Sequence, residues 1–398
     1  MEKTQRGLRR HVAIFGEVNA GKSTLFNLLT QTQTAIVSDI AGTTTDPVSK
    51  SIELLPFGPI VLIDTAGTGD TTDLGKQRMA KTKSVGARAD LSIIVIDGST
   101  YDPATANNHT QTIASQEILY VISKADLTCG STISTLKETY PTAIFVAKDD
   151  PTSLQRLQDA IVSRLNQIEE KDDDLSIGKL LPYGSTVLMV IPIDSAAPKG
   201  RLIQPQVQLL RECLDNGIKT YVVRDKELEQ ALTDIKQIDL VICDSQVFAY
   251  VNSVIPSTMP LTSFSMFLAY QKGNLHSQII AVEHIQHLQT GNNILMLEAC
   301  THSTTHEDIG KIKIPTLLKK HTGKDLNFHH FRVHDMPQDL SPYHFVIMCG
   351  GCMINRKEVQ QRLDLMKASN LPATNYGVVL AYLTGILERC KTTFEEVM

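Results

Sequence analysis

Residues 11–23 read His11-Val12-Ala13-Ile14-Phe15-Gly16-Glu17-Val18-Asn19-Ala20-Gly21-Lys22-Ser23, and this stretch decides the fold of the first part of the chain. Its first five residues predict a buried strand. The rest matches G-x-x-x-x-G-K-S, the loop that joins a strand to a helix and wraps a phosphate. Its glycines let successive backbone N–H groups face one anion, and the helix presents its positive N-terminus to the same charge. Lys22 is expected to reach the β- and γ-phosphates, and the Ser23 hydroxyl to ligate Mg²⁺. The predicted nucleotide contacts here are Gly16, Glu17, Val18, Asn19, Ala20, Gly21, Lys22, Ser23 and Thr24.

Two more strand tips carry the same chemistry. Asp64-Thr65-Ala66-Gly67 follows an apolar run at 60–63, which puts a carboxylate where Mg²⁺ needs an outer partner and a glycine N–H toward the γ-phosphate. Between them lies Thr43-Thr44-Thr45, where a loop can add a hydroxyl to the metal. Ser123-Lys124-Ala125-Asp126 follows the run 118–122. The carboxylate of Asp126 can accept both the ring N–H and the exocyclic amine of guanine, a pair of donors that adenine lacks. Thr68 and Gly69 follow Asp64–Gly67 in place of a glutamine, so no side chain orients the attacking water and unaided hydrolysis should be slow. Lys22, Thr44 and Gly67 carry what catalysis there is.

The apolar runs at 11–15, 48–54, 60–63, 91–96, 118–122 and 143–146 alternate with helical patterns, as in a parallel sheet covered by helices. The predicted fold class is α/β: a P-loop GTPase domain with a parallel-type sheet, followed by two further, smaller α/β domains. A chain of 398 residues exceeds what one core supports. The expected division is 1–170 for the nucleotide domain, 171–182 for a charged linker, 183–263 for a motif-free structural or oligomeric module, and 264–398 for a third block. No fixed-period repeat is evident. A net charge of −5 without a basic block argues against a large nucleic-acid footprint, and Lys3, Arg6, Arg9 and Arg10 read as a solvated tail. There is neither an apolar run of roughly 20 residues nor an apolar signal core, so no membrane partner and a cytoplasmic location are expected.

Seven cysteines in such a compartment do not read as a disulfide framework. Cys129, Cys213, Cys243 and Cys390 are scattered singly and read as small hydrophobes. Cys300 follows one apolar strand, and Cys349-Gly350-Gly351-Cys352 follows another. Strand ends gather ligands in an open α/β sheet, and two glycines let both sulfurs of the pair face one point. Such a set suits an iron–sulfur cluster, structural zinc with His302 as a fourth ligand, or a dithiol redox pair, with buried hydrophobes as the bland reading.

Over its first 150 residues the chain resembles translation-factor-type GTPases. Ile40-Ala41-Gly42-Thr43-Thr44-Thr45-Asp46 is similar to the switch loop of the subgroup that includes the tRNA-modification GTPase MnmE and the Era-like proteins. That resemblance implies Thr44 as the Mg²⁺-associated threonine, Asn19 as a K⁺-linked residue, and Ala147 and Lys148 in the last base-binding motif. The base-reading motif usually begins with asparagine, which braces the loop, and Ser123 is expected to weaken binding by roughly 0.5–1.5 kcal/mol. Val146-Ala147-Lys148 departs from the usual Ser-Ala-Lys.

Cys300-Thr301-His302, Cys349-Gly350-Gly351-Cys352 and the trailing Asn355-Arg356-Lys357-Glu358, joined to such a GTPase, resemble the FeFe-hydrogenase maturation GTPase family, HydF. The resemblance covers nearly the whole chain. It implies a GTPase, a dimerisation domain at 183–263 and a cluster domain at 264–398. There Cys300, Cys349 and Cys352 would hold a 4Fe-4S cluster, with His302 as a further ligand. Met348 stands where the family carries a histidine before the pair. The implied cofactors are GTP/GDP, Mg²⁺, K⁺, the 4Fe-4S cluster and a transient two-iron precursor. The implied partners are a second copy of the chain, the hydrogenase apoprotein and two radical-SAM maturation enzymes. The alternative reading is an RNA-modification or redox-sensing regulatory GTPase with a structural zinc or a sensory iron–sulfur site.

Overall fold

Strand β1 (Arg10–Gly16) is buried from Val12 onward because both of its faces are covered. Val12 and Ile14 pack into one apolar cluster and Ala13 and Phe15 into another, which is why its sequence is a continuous apolar run rather than an alternation. The computed structural model describes residues 9–31, 48–65, 85–86, 88–102, 117–172, 175–193, 202–299, 309–332 and 336–395. The chain divides into two compact units, Met1–Lys171 and Asp172–Met398.

In the first unit β1 is followed by β2 (Val48–Leu54), β3 (Gly58–Asp64), β4 (Leu91–Asp97), β5 (Ile118–Ser123) and β6 (Ile144–Phe145), in the order β2-β3-β1-β4-β5-β6. The sheet is parallel except at one edge, where β2 runs antiparallel to β3. That departs from the purely parallel expectation for a simple reason: three turn residues join the two strands, and only an antiparallel pair can be joined so tightly. Helices Lys22–Gln31 and Pro151–Asp172 contribute Leu25, Phe26 and Leu29, and Leu154, Leu157, Ile161 and Leu165, to one core. The parallel strands deliver Gly16, Asp64 and Ser123 to the same carboxyl-end rim.

Among its described residues the second unit holds two four-stranded parallel sheets. The first is β10-β9-β7-β8, from β7 (Thr186–Val190), β8 (Lys219–Val223), β9 (Leu240–Cys243) and β10 (Leu261–Ser263). The second is β12-β11-β13-β14, from β11 (Asn293–Glu298), β12 (Asn327–Arg332), β13 (Phe345–Met348) and β14 (Ala373–Asn375). Read in matching direction, these are the same sheet twice. Val187 pairs with Leu240 as Ile294 pairs with Phe345, and Thr186 pairs with Lys219 as Asn293 pairs with Asn327. The loop hydrogen bonds repeat as well: Asp239 N–H donates to Thr186 O and His344 N–H to Asn293 O, both at 2.9 Å. Pro260-Leu261-Thr262-Ser263-Phe264-Ser265-Met266-Phe267-Leu268-Ala269-Tyr270-Gln271-Lys272-Gly273 aligns with Pro372-Ala373-Thr374-Asn375-Tyr376-Gly377-Val378-Val379-Leu380-Ala381-Tyr382-Leu383-Thr384-Gly385. The unit therefore contains two copies of one α/β module, a repeat that the sequence reading did not detect.

The two copies are fused through their last helices. Helix Phe264–Lys272 begins at Ser263, whose side chain accepts from Met266 N–H, and helix Tyr376–Leu383 begins at Asn375, whose side chain accepts from Val378 N–H. Ser265 Oγ accepts from Gly377 N–H at 3.0 Å, and Asn375 Nδ2 donates to Ser265 O at 2.8 Å. One apolar core runs from Ile177 to Phe394. The boundary expected at 263/264 falls between a strand and the helix it caps, and the blocks expected as two domains share this core. The expected linker 171–182 contains a short helix, Ile177–Leu180. Ile177 is fully buried, and its N–H donates to Glu212 Oε1 at 2.6 Å.

Candidate functional site

At the tip of β1, Asn19 holds a left-handed φ of 63°, a conformation asparagine tolerates better than most residues. Glu17, Val18 and Asn19 are exposed, whereas Ala20 and Lys22 are buried. Lys22 Nζ donates to Glu17 O at 2.6 Å across the loop. Burial pushes its ammonium below the usual lysine range, against the pull of Asp64 and Glu17. Ser23 Oγ donates to Asp64 Oδ2 at 2.8 Å, joining the first helical turn to the tip of β3. Burial raises the Asp64 carboxyl, opposed by the Ser23 hydrogen bond and the Lys22 charge. Asp64 Oδ1 is buried without a hydrogen-bond partner among the described residues. An orphaned carboxylate oxygen beside a serine hydroxyl fits hydrated Mg²⁺, a hard cation that binds through few carboxylates and several waters. Thr65 Oγ1 donates to Ile14 O at 2.7 Å and locks β3 to β1. Thr44 and Gly67 lie outside the described residues.

The tip of β5 is tied to the same loop. Ser123 Oγ donates to Ala20 O at 2.7 Å, with Ile96 O as a second acceptor at 3.2 Å. Ser123, standing where an asparagine is usual, thus ties the tip of β5 to the glycine loop through its hydroxyl. Lys124, at a left-handed φ of 52°, donates to Asn19 O at 3.2 Å and pairs with Asp97 Oδ2 at 2.5 Å. Burial opposes ionisation of Asp97, but hydrogen bonds from Lys124 and Ser99 outweigh it and hold its carboxyl below the usual range. Asp126 is exposed. Ala147 N–H donates to Ser153 Oγ at 3.2 Å, and Lys148 is exposed. Asp97 was missed in the sequence, although a carboxylate ending the apolar strand β4 is the same signal that singled out Asp64.

The second cluster of chemistry sits at the end of β13, where Cys349 and Cys352 are half-buried on one turn. Gly351 in that turn has φ 66° and would press an added Cβ to 3.2 Å from Val359 Cγ2, so the turn requires glycine there. Ala299 N–H, at the end of β11, donates to Cys349 Sγ at 3.1 Å. Asn355 ends the turn by capping helix Arg356–Ala368, its side chain accepting from Glu358 N–H, and Glu358 pairs with Arg362 at 2.6 Å. Two thiols on one glycine turn, one already receiving an N–H, are a donor set that fits an iron–sulfur cluster or zinc. Cys300 and His302 lie outside the described residues. Met348 is buried in the core. Of the single cysteines, Cys213, Cys243 and Cys390 are buried, whereas Cys129 is exposed, a correction to its reading as a packed hydrophobe. It sits at the start of helix Gly130–Thr139 beside Ser131 and Thr132 hydroxyls, which hold its thiol down at about 7.

Sequence reasoning also missed Lys272, which lies behind the cysteine turn. Burial lowers its ammonium to about 8, against the pull of Cys352 and Cys349. No helix of the described residues is long and apolar enough to cross a membrane.

Comparison with known proteins divides along the same lines. Residues 11–124 match a family model described as 50S ribosome-binding GTPase. Residues 176–273 match the hydrogen maturase F dimerization domain, and residues 276–392 the hydrogen maturase F tetramerization domain. The tRNA modification GTPase MnmE of Ehrlichia canis is 40% identical over 129 residues, covering 31% of this chain and 27% of that protein. MnmE of Heliobacterium modesticaldum is 37% identical over 130 residues, covering 31% and 27%. The chain thus spans 27% of the length of these relatives. Among solved structures, the G domain of the T. maritima FeoB iron transporter aligns over 39% of this chain and 99% of its own, at 24% identity and a TM-score of 0.31. Aquifex aeolicus Era bound to GDP and AlF4 aligns over 54% and 92%, at 18% identity and a TM-score of 0.32.

Proposed function

This chain belongs to the hydrogen maturase F family, and from that premise we propose that it is a GTP-timed scaffold for FeFe-hydrogenase maturation. The N-terminal unit is a P-loop GTPase that uses GTP/GDP and Mg²⁺, and the rest of the chain carries the family's oligomerisation domains. Cys349 and Cys352, together with Cys300, hold a 4Fe-4S cluster, and the protein receives a two-iron precursor as cargo and passes it to apo-hydrogenase. When bound, the cluster supplies an iron with an exchangeable position, since three thiolates leave one site for His302 or an incoming group. Radical-SAM enzymes deliver the cargo, a second copy of the chain completes the dimer, and the reaction belongs to the cytoplasm.

The observation that carries this reading is the Ala299 N–H bond to Cys349 Sγ. It brings the strand end that precedes Cys300 in sequence to the thiol pair of another strand. In the nucleotide unit, Ser23 and Asp64 would hold Mg²⁺, Lys22 would turn from the Glu17 carbonyl to the phosphates, and Thr44 and Gly67 would close on the γ-phosphate. Asp126 would read guanine, Ala147 and Lys148 would flank the base, and Asn19 would favour K⁺. With no glutamine after Gly67, hydrolysis is slow and times partner association.

The test is metal analysis with EPR on anaerobically reconstituted protein. A four-iron signal is expected in the wild type, lost or strongly altered in Cys300→Ala, Cys349→Ala and Cys352→Ala. Stoichiometric zinc with no competence for iron would sink the cluster reading and favour a regulatory GTPase with a structural metal.

A further inference from the structure

Lys272 is the last residue of helix Phe264–Lys272, in the first copy of the module, and is 5% exposed. Its Nζ crosses to the second copy and donates to Gly351 O at 3.1 Å and to Ile354 O at 2.9 Å. Those carbonyls belong to the turn that carries Cys349 and Cys352. A lysine is seldom buried this fully without a carboxylate beside it. Its Nζ donates instead to two carbonyls, and the Cys352 and Cys349 thiols lie close enough to act on its charge.

The duplicated module supplies an internal control. The residue equivalent to Lys272 in the second copy is Thr384, whose hydroxyl bonds back to Leu380 O within its own helix. The turn equivalent to Cys349–Cys352 in the first copy is Asp244–Val247, which has no cysteine after Asp244. Its carbonyl Gln246 O is also capped by an ammonium, Lys313 Nζ at 2.7 Å, but from a different element. Capping this turn is thus a demand of the fold in both copies. Particular to Lys272 are the second carbonyl, the near-complete burial and a position behind two thiols.

We propose that Lys272 is a positioning residue of the cysteine site, fixing the Cys349–Cys352 turn through two carbonyls and placing its ammonium behind the thiols. This rests on the reading of the turn as an iron–sulfur site. A positive charge there favours the more reduced, more negative state of whatever the thiols hold, and so raises its reduction potential.

The experiment compares wild type, Lys272→Met and Lys272→Arg in the full chain. In iron-free protein, amide hydrogen exchange over 349–355 is expected to quicken in Lys272→Met and to stay near wild type in Lys272→Arg. In reconstituted protein, an EPR-monitored redox titration is expected to show a more negative midpoint for Lys272→Met, restored toward wild type by arginine. If Lys272→Met does not fold, Lys272→Gln carries the same comparison. Unchanged exchange or an unchanged potential in the neutral variant overturns the proposal, since packing alone would not move the potential. Wild type that takes up no iron overturns the cluster reading instead, while the exchange experiment still decides whether Lys272 holds the turn.

Discussion

Ser123 connects two parts of the nucleotide site that lie 103 residues apart, donating from the tip of β5 to the carbonyl of Ala20. A hydroxyl has one proton to give, and Ala20 O and Ile96 O share it. Ser123→Ala removes that tie without adding bulk. We expect GDP affinity to fall about threefold to tenfold, the net worth of one hydrogen bond, read by titration calorimetry or a fluorescent nucleotide. An unchanged dissociation constant would mean that Lys124, held by Asp97 and Asn19 O, braces the loop alone. Replacement of the usual asparagine therefore changes the atoms of the brace more than its presence.

At the scale of elements, the second unit depends on how closely helices Phe264–Lys272 and Tyr376–Leu383 approach at their N-termini. An added Cβ on Gly377 would lie 2.7 Å from Ser265 Cβ and 2.8 Å from the backbone nitrogen of Met266. Backbone cannot swing aside as the end of a flexible side chain can, so the helices must separate. Gly377→Ala is expected to cost about 1–3 kcal/mol, lowering the thermal midpoint by about 2–4 °C for each kcal/mol. Differential scanning calorimetry should show that shift in the transition of the second unit, with nucleotide affinity unaltered. A midpoint within a degree of wild type would show that the fusion of the two copies is looser than its contacts imply.

At the scale of the whole molecule, nucleotide chemistry and cysteine chemistry occupy separate compact units. Lys22→Ala should therefore abolish GTP binding yet leave the iron content of reconstituted protein at the wild-type value. Simultaneous loss of both, measured on one preparation, would mean that the two units do not fold independently. The sequence by itself determined the P-loop GTPase fold of the first unit, because its signature is written in contiguous residues. A strand, a glycine loop and a helix start, with an aspartate or Ser-Lys-x-Asp at the next strand tips, need only local periodicity to be recognised. It also determined that Cys349 and Cys352 share one turn, since two residues separate them. Only the tertiary structure decided that Ser123 braces the loop, that Lys272 reaches the cysteine turn across 79 and 82 residues, and that the second unit is one module twice. Those contacts depend on which strands become neighbours and on the register they adopt. Buried positions in the two copies accept almost any apolar residue, so matched geometry survives where matched sequence is sparse.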